Sequence, residues 1–136
     1  MDKCIFCMIA AGEIPSTALY EDEKVRVILD LGPAARGHAL VLPKAHYKDS
    51  TEAPAELLGH MMAVGAKVGA AQMKAFSYDG FNLIQNNGTA AGQSVFHLHL
   101  HVIPRREGDG AVGLWTPGET TPAEMAETAE KIKAEL

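Results

Sequence analysis

The sequence feature that most constrains the fold is a run of histidines at alternate positions, His97, His99 and His101, separated by Leu98 and Leu100. In a β-strand, residues i, i+2 and i+4 point to the same side, so the run predicts three imidazoles on one face, about 7 Å apart. Leu98 and Leu100 then point into a core. Histidine is not a favoured strand residue, and its imidazole can act as acid, base, nucleophile or metal ligand near neutral pH. The segment therefore indicates a functional site.

The composition is that of one folded domain. The chain has 136 residues, of which 47% are hydrophobic and 21% are charged, enough to bury a core. We treat residues 1–136 as a single domain, with a core over 1–118 and a helical tail over 119–136. The net charge of -5 offers no basic surface for nucleic acid or anionic membranes. The chain starts without a signal-peptide pattern and has no run of transmembrane length, so we expect a cytoplasmic protein.

Hydrophobic periodicity and turn residues predict the elements. We expect strands at residues 18–21, 25–30, 38–42, 81–85 and 95–103, and helices at 7–11, at 54–75 and after Thr121. Thr121 is a candidate N-cap, with Pro122 at the first helical position and Glu124 three residues after the cap. Short connections between the early strands favour antiparallel pairing. The predicted fold is α+β, with an antiparallel five-stranded sheet, one long helix and short N-terminal and C-terminal helices.

The long helix is predicted to bury one face against the sheet. Its apolar side chains fall near one stripe at helical spacing. We expect this stripe in the core: Leu57, Leu58, Met61, Met62, Val68 and Met73.

The two cysteines, Cys4 and Cys7, form a Cys-x-x-Cys motif at the N-terminus. A disulfide between them would close a very small loop and restrain little of the unfolded chain. A thioredoxin-like motif follows a strand, and no strand is predicted before Cys4. Metal binding and a pair of ordinary reduced thiols both remain open from the residues alone.

A glycine-containing loop precedes the histidines. Gly88 and Gly92 permit backbone conformations that point successive N–H groups at an anion, and Ser94 adds a hydroxyl. Beside three histidines, this loop is interpreted as a cradle for a phosphoryl group.

Three interpretations of His97, His99 and His101 follow from the residue types. In the first, the histidines are solvated polar residues. In the second, they are three ligands of a catalytic metal such as zinc. In the third, one histidine is a nucleophile, and its two neighbours orient it or protonate a leaving group.

Residues 93–103 resemble the signature of the histidine triad (HIT) family, His-φ-His-φ-His-φ-φ with φ apolar. Together with Gly92 they include its Gly-Gln-Ser lead-in. The opening Cys-Ile-Phe-Cys at residues 4–7, Gly-Glu-Ile-Pro at 12–15, and the segments 27–30 and 37–46 are also similar to the family. The resemblance extends to about residue 118. It implies a five-stranded antiparallel sheet with helices and, usually, a homodimer. The segment 114–117 is similar to one that reaches toward the partner's site in some members.

The resemblance implies a nucleotide hydrolase or transferase. His99 would attack the α-phosphorus of a nucleotide and form a nucleotidyl-histidine intermediate that water hydrolyses. His101 would contact a phosphate oxygen or assist the leaving group, and the backbone carbonyl of His97 would hold the ring of His99. No catalytic metal or organic cofactor is expected.

The resemblance also implies the substrate contacts. Asp30 matches the acidic residue that binds the ribose hydroxyls. Asn86, Gln93 and Ser94 match polar positions around the phosphate, and His38 matches a position that lines the same site.

A structural zinc ion is a further implication of the resemblance. Its ligands would be Cys4, Cys7, His46 and His97. Such a Cys₂His₂ set leaves the metal no open position for chemistry.

Within the family, the N-terminal Cys-x-x-Cys favours the adenosine phosphoramidase-like (Hint-type) branch, which acts on purine nucleotide conjugates such as those of AMP. A dinucleoside polyphosphate hydrolase is the alternative enzyme. A metal-dependent hydrolase and a non-enzymatic nucleotide-binding regulatory protein are the rivals from other classes. Neither nucleic acid nor membrane is expected as a partner.

Overall fold

An antiparallel five-stranded sheet forms the body of the protein, as the sequence predicted. The computed structural model describes residues 4–136. Its strands are β1 (Ala18–Glu21), β2 (Val25–Leu29), β3 (Ala39–Pro43), β4 (Gly80–Ile84) and β5 (Leu100–Arg105). Its helices are α1 (Ile5–Ala10), α2 (Ala55–Phe76) and α3 (Pro122–Lys133), with a 3₁₀ turn at Thr89–Ala91.

The strand order β1-β2-β3-β5-β4 places β5 inside the sheet. All pairings are antiparallel, and His101 lies opposite Leu40 of β3 and Ile84 of β4. The third histidine is therefore held between two hydrogen-bonded neighbours.

One face of the sheet packs against α2. Leu98, Leu100 and Val102 are buried in this layer, which confirms the predicted apolar face of the histidine segment. Leu57 and Met61 of α2 are buried there too, with Leu58 and Val68 partly buried. Met62 was predicted to belong to this stripe and does not, since 51% of it is exposed. One residue after Met61, it lies about 100° further around the helix.

The opposite face carries the histidines and a smaller apolar cluster. Ile28, Leu40 and Leu42 of the sheet pack there with Phe6 and Ile9 of α1. The two faces therefore differ in the helix that packs on them: α2 covers the main core, and α1 lies beside the histidines.

The fifth strand begins later than predicted. It was expected at residues 95–103, whereas the ladder covers Leu100–Arg105 and leaves His97 and His99 just before it. The register would place Leu98 opposite Pro43, the last residue of β3, and proline has no N–H to donate. The N–H of Leu98 instead donates to the carbonyl of Tyr47 at 2.7 Å. The side-chain alternation continues without the ladder.

The C-terminal helix begins as predicted. The Thr121 side chain accepts a hydrogen bond from the N–H of Glu124 at 3.2 Å, and Pro122 is the first helical residue. No side chain of α3 is buried, and Met125 and Ile132 are each 58% exposed. Across residues 4–136, no helix is both long and apolar enough to cross a membrane.

Two glycines of α2 give a matched test of how closely this helix approaches the sheet. A Cβ added at Gly69 would collide with the ring of Phe81, whereas one added at Gly59 would have no neighbour within 4 Å. We expect Gly69→Ala to lower the free energy of unfolding by about 1–3 kcal/mol through overpacking. Gly59→Ala should raise it by roughly 0.5–1 kcal/mol, because alanine favours the helix. Urea unfolding of both variants measures this, and equal stabilisation by the two would contradict the close approach.

Candidate active site and metal centre

His99 is buried and held in one tautomer. Its Nδ1–H donates to the backbone carbonyl of His97 at 2.7 Å, as the resemblance implied. Only 7% of the residue is exposed, and the ring of Phe6 meets it edge-on at a centroid distance of 5.0 Å. A neutral imidazole has one N–H, so Nε2 of His99 carries a lone pair. The hydrogen bond thus fixes the orientation of the ring and of its Nε2.

His101 is tied to His38 across the sheet. His38 Nε2 lies 2.9 Å from His101 Nδ1, and His38 Nδ1 accepts a hydrogen bond from the N–H of Ala34 at 3.0 Å. The rings of His99 and His101 are also adjacent, with centroids 5.0 Å apart. His38 just before β3, His99 just before β5 and His101 within β5 thus meet at one place.

Burial keeps both His38 and His101 neutral. It lowers the pKa of His101 to about 4, with further lowering from the neighbouring His99 and His38, against the opposing effect of Asp30. Burial also lowers the pKa of His38, again opposed by Asp30. Near pH 7 neither ring is a cation.

Asp30 stands at the end of β2 and stabilises the turn that follows. One carboxylate oxygen accepts from the N–H of Gly32 at 2.8 Å, and the other lies 3.5 Å from His38 Nε2. The structure therefore brings Asp30 and His38 beside His101.

Ligand-type atoms of Asp30, His38 and His101 lie within 4.8 Å of one another, but their hydrogen bonds oppose a metal ion. Because the Ala34 N–H occupies His38 Nδ1, the proton of neutral His38 is on Nε2. A metal at Nε2 would move that proton to Nδ1, against the amide of Ala34.

A second cluster has the geometry of a metal site. The thiols of Cys4 and Cys7 and one ring nitrogen each of His46 and His97 lie within 4.8 Å of one another. Nδ1 of His97 is 3.2 Å from Nδ1 of His46, 3.4 Å from the Cys7 sulfur and 3.5 Å from the Cys4 sulfur. Tetrahedral zinc with bonds of about 2.0–2.3 Å separates its ligand atoms by about 3.3–3.8 Å.

His97 fits the role of a metal ligand through its second nitrogen. Its Nε2–H donates to the carbonyl of Pro43 at 2.9 Å, which leaves the Nδ1 lone pair directed into the cluster. Burial and the neighbouring Cys4 raise the pKa of the Cys7 thiol. If both thiols lose their protons, the two negative charges repel each other unless a cation lies between them. A bound metal ion would be that cation.

The loop before the histidines is closed by Gln93. Its buried side chain accepts from the N–H of Gly88 at 2.8 Å and donates to the carbonyls of Lys48 at 2.7 Å and Val95 at 3.1 Å. Gly88 and Gly92 both have positive φ, +90° and +98°. Gln93 therefore stabilises this turn of the chain.

The two other polar residues predicted for the phosphate lie in the same loop region. The Asn86 amide would lie 3.4 Å from a Cβ at Gly92, and Ser94 is exposed. Asn86 and Ser94 are near the histidine segment in sequence, and they lie at the two ends of the loop that contains Gly88 and Gly92.

Sequence reasoning missed three contributors to the site: the ring of Phe6, the carbonyl of Pro43 and the N–H of Ala34. Backbone groups leave no trace in residue identity, so only the fold reveals the last two. Phe6 lies between the two cysteines, and that position was the one available signal.

Comparison with known families identifies the family of this domain. Residues 11–108 match the HIT domain. The chain belongs to the HIT family. An uncharacterised HIT-like protein of Methanocaldococcus jannaschii is 44% identical over 96% of this chain and 98% of its own length.

Two relatives in the HIT family have named activities. The adenosine 5'-monophosphoramidase HNT1 of Saccharomyces cerevisiae is 37% identical over 98% of this chain and 82% of its own length. The adenylylsulfatase HINT3 of Arabidopsis thaliana is 45% identical over 79% of this chain, and the match spans 55% of that longer protein. Both names describe hydrolases of adenylyl compounds.

Solved HIT structures share the fold. A Bacillus subtilis HIT family protein aligns with a TM-score of 0.90 and 37% identity over 99% of this chain and 98% of its own. A zinc-bound histidine triad family protein of Mycobacterium smegmatis aligns with a TM-score of 0.77 and 39% identity over 98% of this chain and 97% of its own.

The lowered pKa of His101 makes stability depend on pH. Between pH 6.5 and the folded pKa of about 4, the unfolded chain binds more protons at this residue than the folded one. The His101 contribution is therefore present above pH 6.5 and lost as pH falls toward 4. We expect the drop in unfolding free energy from pH 7 to pH 4.5 to be about 1–3 kcal/mol smaller in His101→Gln than in wild type. Guanidinium unfolding at both pH values checks this, and parallel losses in the two proteins would contradict it.

Proposed function

We propose that this HIT protein hydrolyses nucleotide conjugates at the α-phosphorus through a nucleotidyl-histidine intermediate on His99, and that it is a nucleoside phosphoramidase. The observation that carries the proposal is the hydrogen bond from His99 Nδ1–H to the carbonyl of His97. With Nδ1 used as the donor, Nε2 of this buried ring is the nitrogen that offers a lone pair. The named phosphoramidase and adenylylsulfatase relatives support a substrate that contains AMP.

In the proposed reaction, Nε2 of His99 attacks the α-phosphorus of an AMP phosphoramidate. An Nε2–P bond forms as the P–N bond breaks, and the leaving amine takes a proton from solvent water. A second water then attacks phosphorus and returns a proton to the solvent, the Nε2–P bond breaks, and AMP is released with His99 regenerated. An oriented nucleophile divides one difficult hydrolysis into two displacements.

In this proposal the remaining residues bind the substrate or hold the groups that do. The carboxylate of Asp30 accepts hydrogen bonds from the ribose hydroxyls, a role that suits an acceptor-only group. Asn86, Ser94 and His101 contact the phosphate oxygens. Gln93, whose amide is hydrogen-bonded within the chain, contributes by holding the loop, and His38 contributes beside His101.

A dinucleoside polyphosphate hydrolase is the second candidate, and one observation favours it. His101 has a pKa of about 4, so it is a neutral ring at pH 7 and not a cationic acid. A phosphate leaving group departs as an anion and needs no proton, whereas an amine does. Activity of the same protein on both substrate classes across pH distinguishes the two.

Replacement of His99 tests the nucleophile. We expect His99→Ala to lower turnover of an adenosine phosphoramidate by at least about 10³-fold, because the covalent route is lost. Mass spectrometry of wild type mixed briefly with substrate should detect an added AMP mass that is absent from the variant. His60→Ala is the matched control, since His60 pairs with Asp22 away from the triad. Tight nucleotide binding without turnover in wild type would instead support a regulatory binding protein.

We propose that zinc occupies the cluster formed by Cys4, Cys7, His46 and His97. The distances among the ligand atoms and the N–H of His97 donated to Pro43 fit this metal. When bound, zinc supplies a closed structural crosslink. His97 then ties α1 and His46, which lies in the segment after β3, to the backbone carbonyl that orients His99.

Loss of the thiols should remove the metal. We expect wild type to contain one zinc per chain and Cys4→Ser/Cys7→Ser to contain none, with a Tm lower by several degrees because the crosslink is lost. Elemental analysis and thermal melting measure this. The control His60→Gln removes a histidine outside the cluster and should keep its zinc. A metal-free wild type with the same Tm as the double variant would contradict the proposal.

We also propose a cytoplasmic homodimer that binds neither nucleic acid nor membrane. Reduced thiols suit a reducing compartment, and the net charge of -5 disfavours polyanions. Residues 119–136 are a tail to the domain. α3 exposes Met125 and Ile132, and Leu136 beyond the end of this helix is exposed as well. Leu114 and Trp115 are exposed too, at 87% and 84%, and a second copy would cover such groups. A monomeric mass in light scattering would contradict the dimer.

A further inference from the structure

We propose that His38 is a positioning residue that fixes the proton of His101 on Nε2, through a hydrogen-bond chain that starts at the backbone N–H of Ala34. The effect of this residue on catalysis rests on the proposed function. The hydrogen-bond chain itself is a property of the protein without substrate.

The direction of the chain follows from its first link. The backbone N–H of Ala34 can only donate, and it lies 3.0 Å from His38 Nδ1. Nδ1 of His38 must therefore offer a lone pair, and the single proton of the neutral ring is on Nε2. A protonated His38 would place a second N–H against Ala34.

The second link, from His38 to His101, has the same donor-to-acceptor direction. Nε2–H of His38 donates to Nδ1 of His101 at 2.9 Å, a shorter contact than the 3.5 Å to the carboxylate of Asp30. With Nδ1 of His101 used as an acceptor, its own proton is on Nε2. This nitrogen is then a hydrogen-bond donor for a phosphate oxygen.

His99 and His101 thus have opposite tautomers although they are two residues apart. A carbonyl faces Nδ1 of His99, so its Nε2 carries a lone pair. An N–H faces Nδ1 of His101, so its Nε2 carries a proton. Their rings lie 5.0 Å apart. One ring offers the nucleophile and the next offers the donor that stabilises charge on the phosphate.

His38 acts through His101 because neither of its nitrogens is free. Only 5% of the residue is exposed, Nδ1 is occupied by Ala34 and Nε2 by His101. A role at the substrate would require breaking one of these bonds. Its influence on the reaction therefore passes through the proton of its neighbour.

Two amide variants separate the links. In His38→Gln the side-chain nitrogen reaches the position of Nε2 and can still donate to His101. In His38→Asn the amide reaches only the position of Nδ1, so the link to Ala34 can form while the donor to His101 is lost. Both are polar and close in volume to histidine, and thermal melting verifies that they fold.

The measurement is ¹⁵N NMR of the histidine rings in the free protein at pH 7, paired with steady-state kinetics. We expect His101 to carry its proton on Nε2 in wild type and in His38→Gln, and to populate both tautomers in His38→Asn. With an adenosine phosphoramidate, kcat should fall about tenfold or more in His38→Asn, the equivalent of one hydrogen bond to a charged group, with a smaller change in KM. His38→Gln should retain most of the wild-type kcat.

A proton on Nδ1 of His101 in wild type would overturn the inference, and so would equal loss of kcat in the two variants. The NMR result holds whether or not the protein turns over nucleotides. Absence of turnover with the predicted tautomers would therefore count against the proposed function and leave the His38 chain supported. Turnover through His99 with the other tautomer would do the reverse.

Discussion

The hydrogen bonds of His97 are the interaction on which the rest of the site depends. Its ring N–H donates to the carbonyl of Pro43, its second ring nitrogen faces the Cys4, Cys7 and His46 cluster, and its backbone carbonyl accepts from His99. One residue thus connects the end of β3, the N-terminal helix and the candidate nucleophile. Because this residue is fully buried, each of these polar groups requires a partner, and the fold provides all of them.

Burial also determines the chemistry of the neighbouring rings. In water a histidine changes charge near neutral pH, but His38 and His101 are held neutral by loss of solvation. A neutral imidazole has one donor and one acceptor, so each hydrogen bond to it assigns the role of the other nitrogen. The site is therefore controlled by the direction of hydrogen bonds more than by charge.

Much of the architecture could be predicted because it depends on local periodicity. Alternation placed Leu98, Leu100 and Val102 in the core, and the Thr121 cap began α3 where expected. The beginning of β5 was wrong, because the strand partner ends at Pro43, far away in the sequence. Met62 was wrong because a stripe drawn on residue type alone was wider than the face that α2 presents to the sheet.

The sequence by itself determined which residue types share a face, since the two-residue period of extended chain depends on neighbours only. It also indicated the candidate residues of the site, because their types and spacing resemble those of the HIT family. Only the tertiary structure decided which ring nitrogen carries each proton. The partners that decide it are backbone groups, at Pro43 for His97 and, through His38, at Ala34 for His101. Every residue has such groups, so their effect depends on where the fold places them and not on residue identity.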